Sequence, residues 1–282
     1  MNILITGSNG QLGNEMRVLS AAHPAHNYFF TDIEELDITD KQAVTAYVAA
    51  NSIDLIVNCA AYTNVDKAEE DEATALRINA DALAVLGGMG VRVIHISTDY
   101  VFSGDEHLPC RETDPIAPRT AYGRTKYAGE KKLLAVCPDA VILRTAWLYS
   151  SFGNNFVKTM IRLGQERNEL GVVFDQIGTP TYAADLAEAI FTVIEAKVWQ
   201  PGIYHFTNEG VCSWYDFTIA IHQIYGGIDC HVRPILSEEY PYKTPRPHYS
   251  VLDKGKFKKT FNVEIPYWTD GLKRCIRKLK EE

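Results

Sequence analysis

The sequence predicts an α/β protein built on a doubly wound parallel sheet, and three features of its first half carry that expectation. Short apolar runs alternate with helical stretches, a glycine-rich turn joins the first run to the first helix, and the second run ends on an acid. Such alternation is how helices cross over between parallel strands. The 282 residues, 46 % hydrophobic and 23 % charged, suffice for one large core or two modest ones. A formal charge of −8 argues against a nucleic-acid partner, which needs a concentrated basic face to release phosphate counterions. No apolar run approaches the roughly 20 residues of a membrane span, and Met1 leads straight into an apolar strand without the basic start of a secretion signal. Membrane insertion is therefore not expected, and a cytoplasmic location is. The six cysteines include no C-x-x-C pair and the eight histidines no ligand spacing, which points to reduced thiols rather than disulfides or zinc.

Taken in order, Asn2 to Thr6 reads as a strand, Gly7-Ser-Asn-Gly10-Gln-Leu-Gly13 as a turn, and Glu15, Met16, Val18 and Leu19 as the start of a helix. In that setting the glycines let the backbone approach a pyrophosphate, and the helix N-terminus supplies N–H groups and positive dipole. The candidate cofactor cradle is thus Gly7, Asn9, Gly10, Gln11, Leu12 and Gly13. Residues 28–32 form the second strand, ending on Asp32 nineteen residues after Gly13, where a carboxylate takes the adenosine ribose hydroxyls. From Asp32 to Asp40 there are five acids and no base, so NADH is expected to serve at least as well as NADPH. Asp40 caps the next helix. Residues 54–61 form a buried strand ending in Ala60 and Ala61, small enough for a ribose to lie on the backbone, with Tyr62 and Thr63 facing the same cleft. A helix over 73–86 contains Asn79. Residues 91–97, counted as the fifth strand, deliver Thr98 to the carboxyl edge, where open α/β sheets bind ligands; His95 reads as core.

Residues 119–130 place Tyr122 and Lys126 four apart on one helix face, close enough for the ammonium to lower the phenol's pKa and make it an acid near neutral pH. Tyr127 and Lys131 form a second such pair, roughly 140° around the helix, so both cannot face one site. The order strand, Thr98, proline-bearing loop, Tyr122, Lys126 resembles the Thr/Ser-Tyr-Lys site of the extended short-chain dehydrogenase/reductases, as does the G-x-x-G-x-x-G spacing, and it selects Tyr122. Within that family, Ser97-Thr-Asp-Tyr-Val-Phe102, Asn58-Cys-Ala-Ala-Tyr-Thr-Asn-Val-Asp-Lys-Ala-Glu69 and Tyr122-Gly-Arg-Thr-Lys-Tyr-Ala-Gly-Glu130 look like the dTDP-4-dehydrorhamnose reductases, and the similarity runs along nearly the whole chain.

The second half begins with residues 140–149 as a sixth strand. The strand–helix rhythm then breaks, a helix over 185–195 and a strand over 202–208 return to the sheet, and from Ser213 aromatics and prolines rise. The expected architecture is a Rossmann-type layer, 1–150 with 180–208, under a smaller α+β substrate lobe, 151–179 and 209–282. The final helix, basic at Lys273, Arg274, Arg277, Lys278 and Lys280, reads as a solvated face rather than a membrane or partner surface.

The resemblance implies reduction of the C4 ketone of dTDP-4-dehydro-6-deoxy-L-mannose to dTDP-L-rhamnose with NADH or NADPH, for cell-surface polysaccharide. It makes Tyr122 the proton donor, Thr98 the residue orienting the carbonyl, and Lys126 the holder of the nicotinamide ribose, anchored through water by Asn79. It sets Asp37 and Ile38 at the adenine. Thr63, Val65, Tyr100 and Trp147 would surround the deoxysugar, and Asn155, Phe156, Gln176 and Arg246 the nucleotide diphosphate. Some members pair as homodimers through acids that hold Mg2+, for which Glu15 and Glu188 are the candidates. Dehydratases of the family follow Thr-Asp with Glu, and the GDP-fucose epimerase–reductases carry Cys where Tyr100 stands here, so elimination and double epimerisation are disfavoured. The alternatives left open are another nucleotide-4-ketosugar reductase or epimerase, and a non-catalytic dinucleotide-binding subunit like that of methionine adenosyltransferase. An intact Thr98, Tyr122 and Lys126 set speaks against the last.

Overall fold

The computed structural model describes residues 1–241 and 244–281; Tyr242 and Lys243, which begin a loop expected over 242–250, lie outside the described residues. The first half runs β1 (Asn2–Thr6), α1 (Gln11–Leu19), β2 (Asn27–Thr31), α2 (Lys41–Ala50), β3 (Leu55–Asn58), α3 (Val65–Glu70), α4 (Glu72–Leu76), α5 (Ala82–Gly87), β4 (Arg92–Thr98), α6 (Ala121–Val136) and β5 (Val141–Thr145). Successive strand residues point to opposite faces. Ile3 and Ile5 accordingly join Met16, Leu186 and Ile190 in one apolar cluster, while Leu4 joins Val44, Leu83 and Leu133 in another. Both faces are covered, which is why the strands read as unbroken apolar runs.

The second half adds β6 (Leu148–Tyr149), α7 (Phe156–Glu166), β7 (Glu169–Val173), β8 (Ile177–Gly178), β9 (Thr181–Tyr182), α8 (Ala183–Ile194), β10 (Gly202–His205), β11 (Cys212–Ser213), α9 (Trp214–Tyr225), β12 (His231–Ile235), α10 (Gly255–Phe261) and α11 (Trp268–Glu281). Six parallel strands form the main sheet in the order β10-β5-β4-β3-β1-β2. The chain leaves β1 on one side for β2 and returns on the other for β3. A crevice therefore opens beyond their carboxyl ends. A third apolar cluster joins α7, α9, β7, β12 and α11 through Val157, Leu170, Phe217, Ile221, Val232 and Leu272.

Four local expectations are corrected. The acid-rich stretch after β2 closes into turns, with Glu35 N and Leu36 N both donating to Asp32 O. Only three strands precede residues 92–98, so the strands counted as fifth and sixth are β4 and β5. The strand expected over 140–149 breaks at Trp147, whose φ of 50° no extended strand accommodates. The helix expected over 73–86 is α4 and α5 joined by a π-turn at Arg77–Asp81, and such turns gather at functional sites. The basic face of α11 is no simple solvated surface: Arg274 pairs with Asp185 at 2.6 Å and Lys278 with Glu15 at 3.1 Å, which ties the last helix to α8 and α1. No helix among the described residues is long and apolar enough to cross a membrane.

Candidate active site

A cavity of about 870 Å³ opens at the carboxyl edge of the sheet and runs from the glycine turn to Trp147, Trp214 and Arg246. Backbone makes its first wall. Gly7 has φ 63°, and a Cβ there would lie 2.6 Å from Ala60 N. A Cβ on Gly13 would lie 2.4 Å from Ser8 Cα. Only glycine fits either position. Gly10 precedes α1 with no side-chain cap, so the first N–H groups of the helix are left for an anion. Gly7, Gly10, Gln11, Leu12, Gly13 and Ala61 line this end. Asp32 sits against the turn, accepting from Asn9 N at 2.9 Å and Ile33 N at 2.8 Å. Asp37 and Ile38 are not brought to the cavity. Asp37 instead accepts from Thr39 N and Oγ1, each at 2.8 Å, which holds its carboxyl below the usual range, and Ile38 is core. Asp40 caps α2.

The second wall carries titratable groups. Thr120 caps α6 through Gly123 N at 3.0 Å, which starts the helix where Tyr122 and Lys126 both reach the cavity beside Thr98. Tyr127 and Lys131 do not line it; the ammonium lies 4.8 Å over the Tyr127 ring. Thr98 Oγ1 donates to Asp99 Oδ1 at 2.9 Å and accepts from Tyr100 N at 3.2 Å. Burial pushes the Asp99 carboxyl up to about 7, against the opposing Thr98 hydrogen bond. Burial likewise pushes the Tyr122 phenol up to about 12, with the Thr98 hydrogen bond lowering it and Asp99 raising it. This overturns the expected tuning of Tyr122 by its neighbour four residues on. The Lys126 amine is turned to the sheet, donating to Ile96 O at 2.6 Å and meeting His95 Nε2 at 3.2 Å. Burial lowers it to about 8, with Glu130 opposing.

The third wall is aromatic. Trp147 stacks on Trp214 with centroids 3.5 Å apart and planes 9° from parallel, and Phe156 packs on Trp214 at 4.5 Å. Thr63, Val65, Tyr100 and Gln176 also line the cavity. Gln176 Nε2 donates to Ser237 Oγ at 2.9 Å, and Arg246 Nη2 to Asp66 Oδ2 at 2.8 Å. Asn155 does not reach it. Its side chain caps α7 at Lys158 N and donates to Ser150 O.

Tyr62 and Asn79 stand one layer back. Asn79 accepts from Tyr62 N at 2.8 Å and donates to Tyr62 O at 3.0 Å and Thr125 Oγ1 at 3.2 Å. It fixes the backbone between β3 and α3 rather than reaching toward Lys126. Glu15 is no surface ligand for Mg2+: it is buried, accepting from Ser150 Oγ at 2.7 Å as well as from Lys278. No cluster of three His, Cys, Asp or Glu that could hold a metal occurs among the described residues.

Two site residues escaped the sequence reading. Trp214 looked like packing at a helix start; it is the first residue of α9 and a cavity wall at once, and no local pattern marks that. His95 is buried core, as expected, but also a partner of Lys126. A signal was present. His95 and Ser97 share one strand face, about 6.6 Å apart, and Lys126 and Glu130 one helix face, about 6 Å apart. The contacts His95 to Lys126 and Ser97 to Glu130 follow that match.

The model of the family described as RmlD substrate binding domain matches residues 1–281. A dTDP-4-dehydrorhamnose reductase of Aggregatibacter actinomycetemcomitans is 39 % identical, with 96 % of this chain and 97 % of that protein covered. A probable dTDP-4,6-dihydroxy-2-methyloxan-3-one 4-ketoreductase of Streptomyces antibioticus is 40 % identical over 98 % and 95 %. The solved structure of a dTDP-4-dehydrorhamnose reductase from Bacillus anthracis in complex with NADP superposes with a TM-score of 0.93 at 39 % identity, covering 98 % of this chain and 99 % of that one.

Proposed function

From the premise that this chain belongs to the family of the RmlD substrate binding domain, we propose that it reduces the C4 ketone of dTDP-4-dehydro-6-deoxy-L-mannose to dTDP-L-rhamnose with NADH or NADPH. The observation that carries this reading is the convergence of Thr98, Tyr122 and Lys126 on one cavity with an uncapped glycine-turn helix at one end and Trp147 and Arg246 at the other. The residues present fit a dinucleotide: Gly7 and Gly13 leave room for it where any Cβ would close the turn, and Asp32 stands beside that turn. When bound, the reduced nicotinamide supplies a hydride for C4. The chain's own part is to bind, orient and protonate. Thr98 and Tyr122 hold the ketone oxygen, and the Tyr122 O–H bond breaks as its proton passes to the forming alkoxide. General acid catalysis of this kind is worth about 10²–10⁴-fold. A phenol kept protonated by burial is ready to donate, and Lys126, its amine fixed against the strand by Ile96 O, would hold the nicotinamide ribose.

Val65, Tyr100 and Trp147 suit an apolar C6 methyl, and the planar fork of Arg246 suits diphosphate oxygens. In this reading residues 1–150 with 180–208 hold the cofactor, the remainder holds the nucleotide-sugar, and the reaction runs in the cytoplasm. The Streptomyces relative favours a second reading, another dTDP-linked 4-ketosugar. The test supplies the purified protein with NADH or NADPH and each ketosugar, made in place by the upstream enzymes. Oxidation of the cofactor with formation of dTDP-L-rhamnose supports the first reading; turnover of the other sugar alone selects the second. No turnover with either sugar and either cofactor, magnesium supplied, defeats both.

A further inference from the structure

We propose that His95 is a positioning residue for Lys126, holding the amine in place and keeping it hydrogen-bonded whether or not it carries a proton. The inference deepens the reductase reading and rests on it for its kinetic consequence. Its basis is a buried chain of four side chains crossing β1, β3, β4 and α6. Thr6 Oγ1 meets the Asn58 Oδ1 at 2.6 Å, Asn58 Nδ2 meets His95 Nδ1 at 3.0 Å, and His95 Nε2 meets Lys126 Nζ at 3.2 Å. All four residues are only 1 % exposed. The second partner of Lys126, Ile96 O, fixes the amine against the strand. Its remaining valence is left for the cavity.

The chain can run in either direction. An ammonium only donates, so with Lys126 charged, Nε2 accepts and the ring proton sits on Nδ1. That proton is donated to the Asn58 amide oxygen once the amide turns from the orientation in the structure, where Nδ2 faces His95 Nδ1 and Ala60 O at 3.4 Å, and the turned amide nitrogen donates to Thr6 Oγ1. With Lys126 neutral every link reverses: Nε2–H donates to the amine lone pair, Nδ1 accepts from the amide nitrogen, and the Thr6 hydroxyl donates to the amide oxygen. The imidazole is neutral in both arrangements. Burial and the Lys126 charge hold its pKa well below the ordinary range, in keeping with this. Hydrogen bonds to a charged group are roughly twice as strong as neutral ones, so on balance the ring favours the charged amine. Other groups bear on Lys126. Tyr122 and Glu130 share its helix, Asp99 follows β4, and Glu130 is itself held by Ser97 and by Arg144 of β5 at 2.7 and 2.9 Å. None of them reaches Nζ at hydrogen-bond distance among the contacts of the described residues.

The test is kcat against pH for the wild type, His95→Phe and His95→Gln. Phenylalanine fills the ring volume without nitrogens; glutamine brings an amide that can donate or accept. In His95→Phe the alkaline limb, where Lys126 loses its proton, is expected to move down by about one pH unit, and kcat at pH 8 to fall about fivefold, with the ketosugar KM little changed. His95→Gln restores most of both. An unmoved limb in His95→Phe, or equal losses in the two variants, overturns the proposal, because a purely structural role would not separate them. A wild type inert toward ketosugars counts against the proposed function instead. The His95 contact is then decided by ¹⁵N shifts of the ring nitrogens, as it is if His95→Phe does not fold. Lys126→Met must move the His95 resonances, and an unchanged ring spectrum refutes the contact.

Discussion

The two ends of the cavity are built by different means. At the end proposed for the cofactor the chain offers backbone: the N–H groups of α1 and the surface bared by Gly7 and Gly13, all within seven consecutive residues. At the sugar end it offers side chains from distant segments. Trp147 follows β5, Trp214 starts α9, Gln176 lies between β7 and β8, and Arg246 comes from a loop beyond β12. The difference has an energetic side. A backbone wall fails through overlap that cannot be relieved, whereas a side-chain wall fails one contact at a time. Substitutions at the first end should abolish an event, and at the second they should grade it.

Between the two ends stands Tyr122, the proposed proton donor, and the largest effect is expected there. Tyr122→Phe should lower kcat by about 10²–10⁴-fold while cofactor affinity holds, because only the donated proton is lost. Tyr127→Phe should be nearly silent in the same assay. A comparable loss in Tyr127→Phe would mean that the wrong helix face had been assigned. Gly13→Ala should come next. The added Cβ meets Ser8 Cα at 2.4 Å, overpacking of a kind that destabilises by about 1–3 kcal/mol. Cofactor binding measured by fluorescence should be lost or severely weakened, together with a lower Tm. Unchanged NADPH affinity in a folded Gly13→Ala would mean that the bared backbone is not what holds the cofactor.

Arg246→Ala sharpens the other half of the comparison. Loss of a charge-assisted bond to the diphosphate is worth about 1.5–3 kcal/mol, so the nucleotide-sugar KM should rise roughly 10- to 100-fold with kcat less affected. A fall in kcat at unchanged KM would instead place Arg246 in the chemistry. The smallest effect is expected at Asp32. Asp32→Ala should narrow any preference for NADH over NADPH by a few fold, read as the ratio of kcat/KM values. A wild type that strongly prefers NADPH would show that a base reaches the 2′-phosphate, and Arg17, 3.1 Å from Ser8 Oγ, stands at the turn.

The same contrast explains what could be read from the sequence. The glycine turn, Thr98 and the Tyr122–Lys126 pair are local patterns with fixed spacing, and the alternation of strands and helices announces the parallel sheet. The left-handed turn at Trp147 has no glycine or asparagine to mark it, so the strand pattern continues through it. Trp214 is amphipathic packing by any local measure, and only the path of α9 brings it onto Trp147. The Tyr122 phenol was expected to be lowered by Lys126, because helix spacing gives proximity of Cβ atoms and not the direction of a long side chain. That direction is set by Ile96 O and His95 on a strand some thirty residues away.

The central claim is that this cavity delivers a hydride to C4 and the Tyr122 proton to the oxygen on it. The most direct measurement is the isotope pattern of the product formed from dTDP-4-dehydro-6-deoxy-L-mannose with deuterium-labelled NADH or NADPH, read by NMR. The account predicts dTDP-L-rhamnose carrying deuterium at C4 and at no other carbon. Product without label at C4, or solvent-derived hydrogen exchanged into C3 or C5, would contradict it and point to epimerisation or elimination in place of simple reduction.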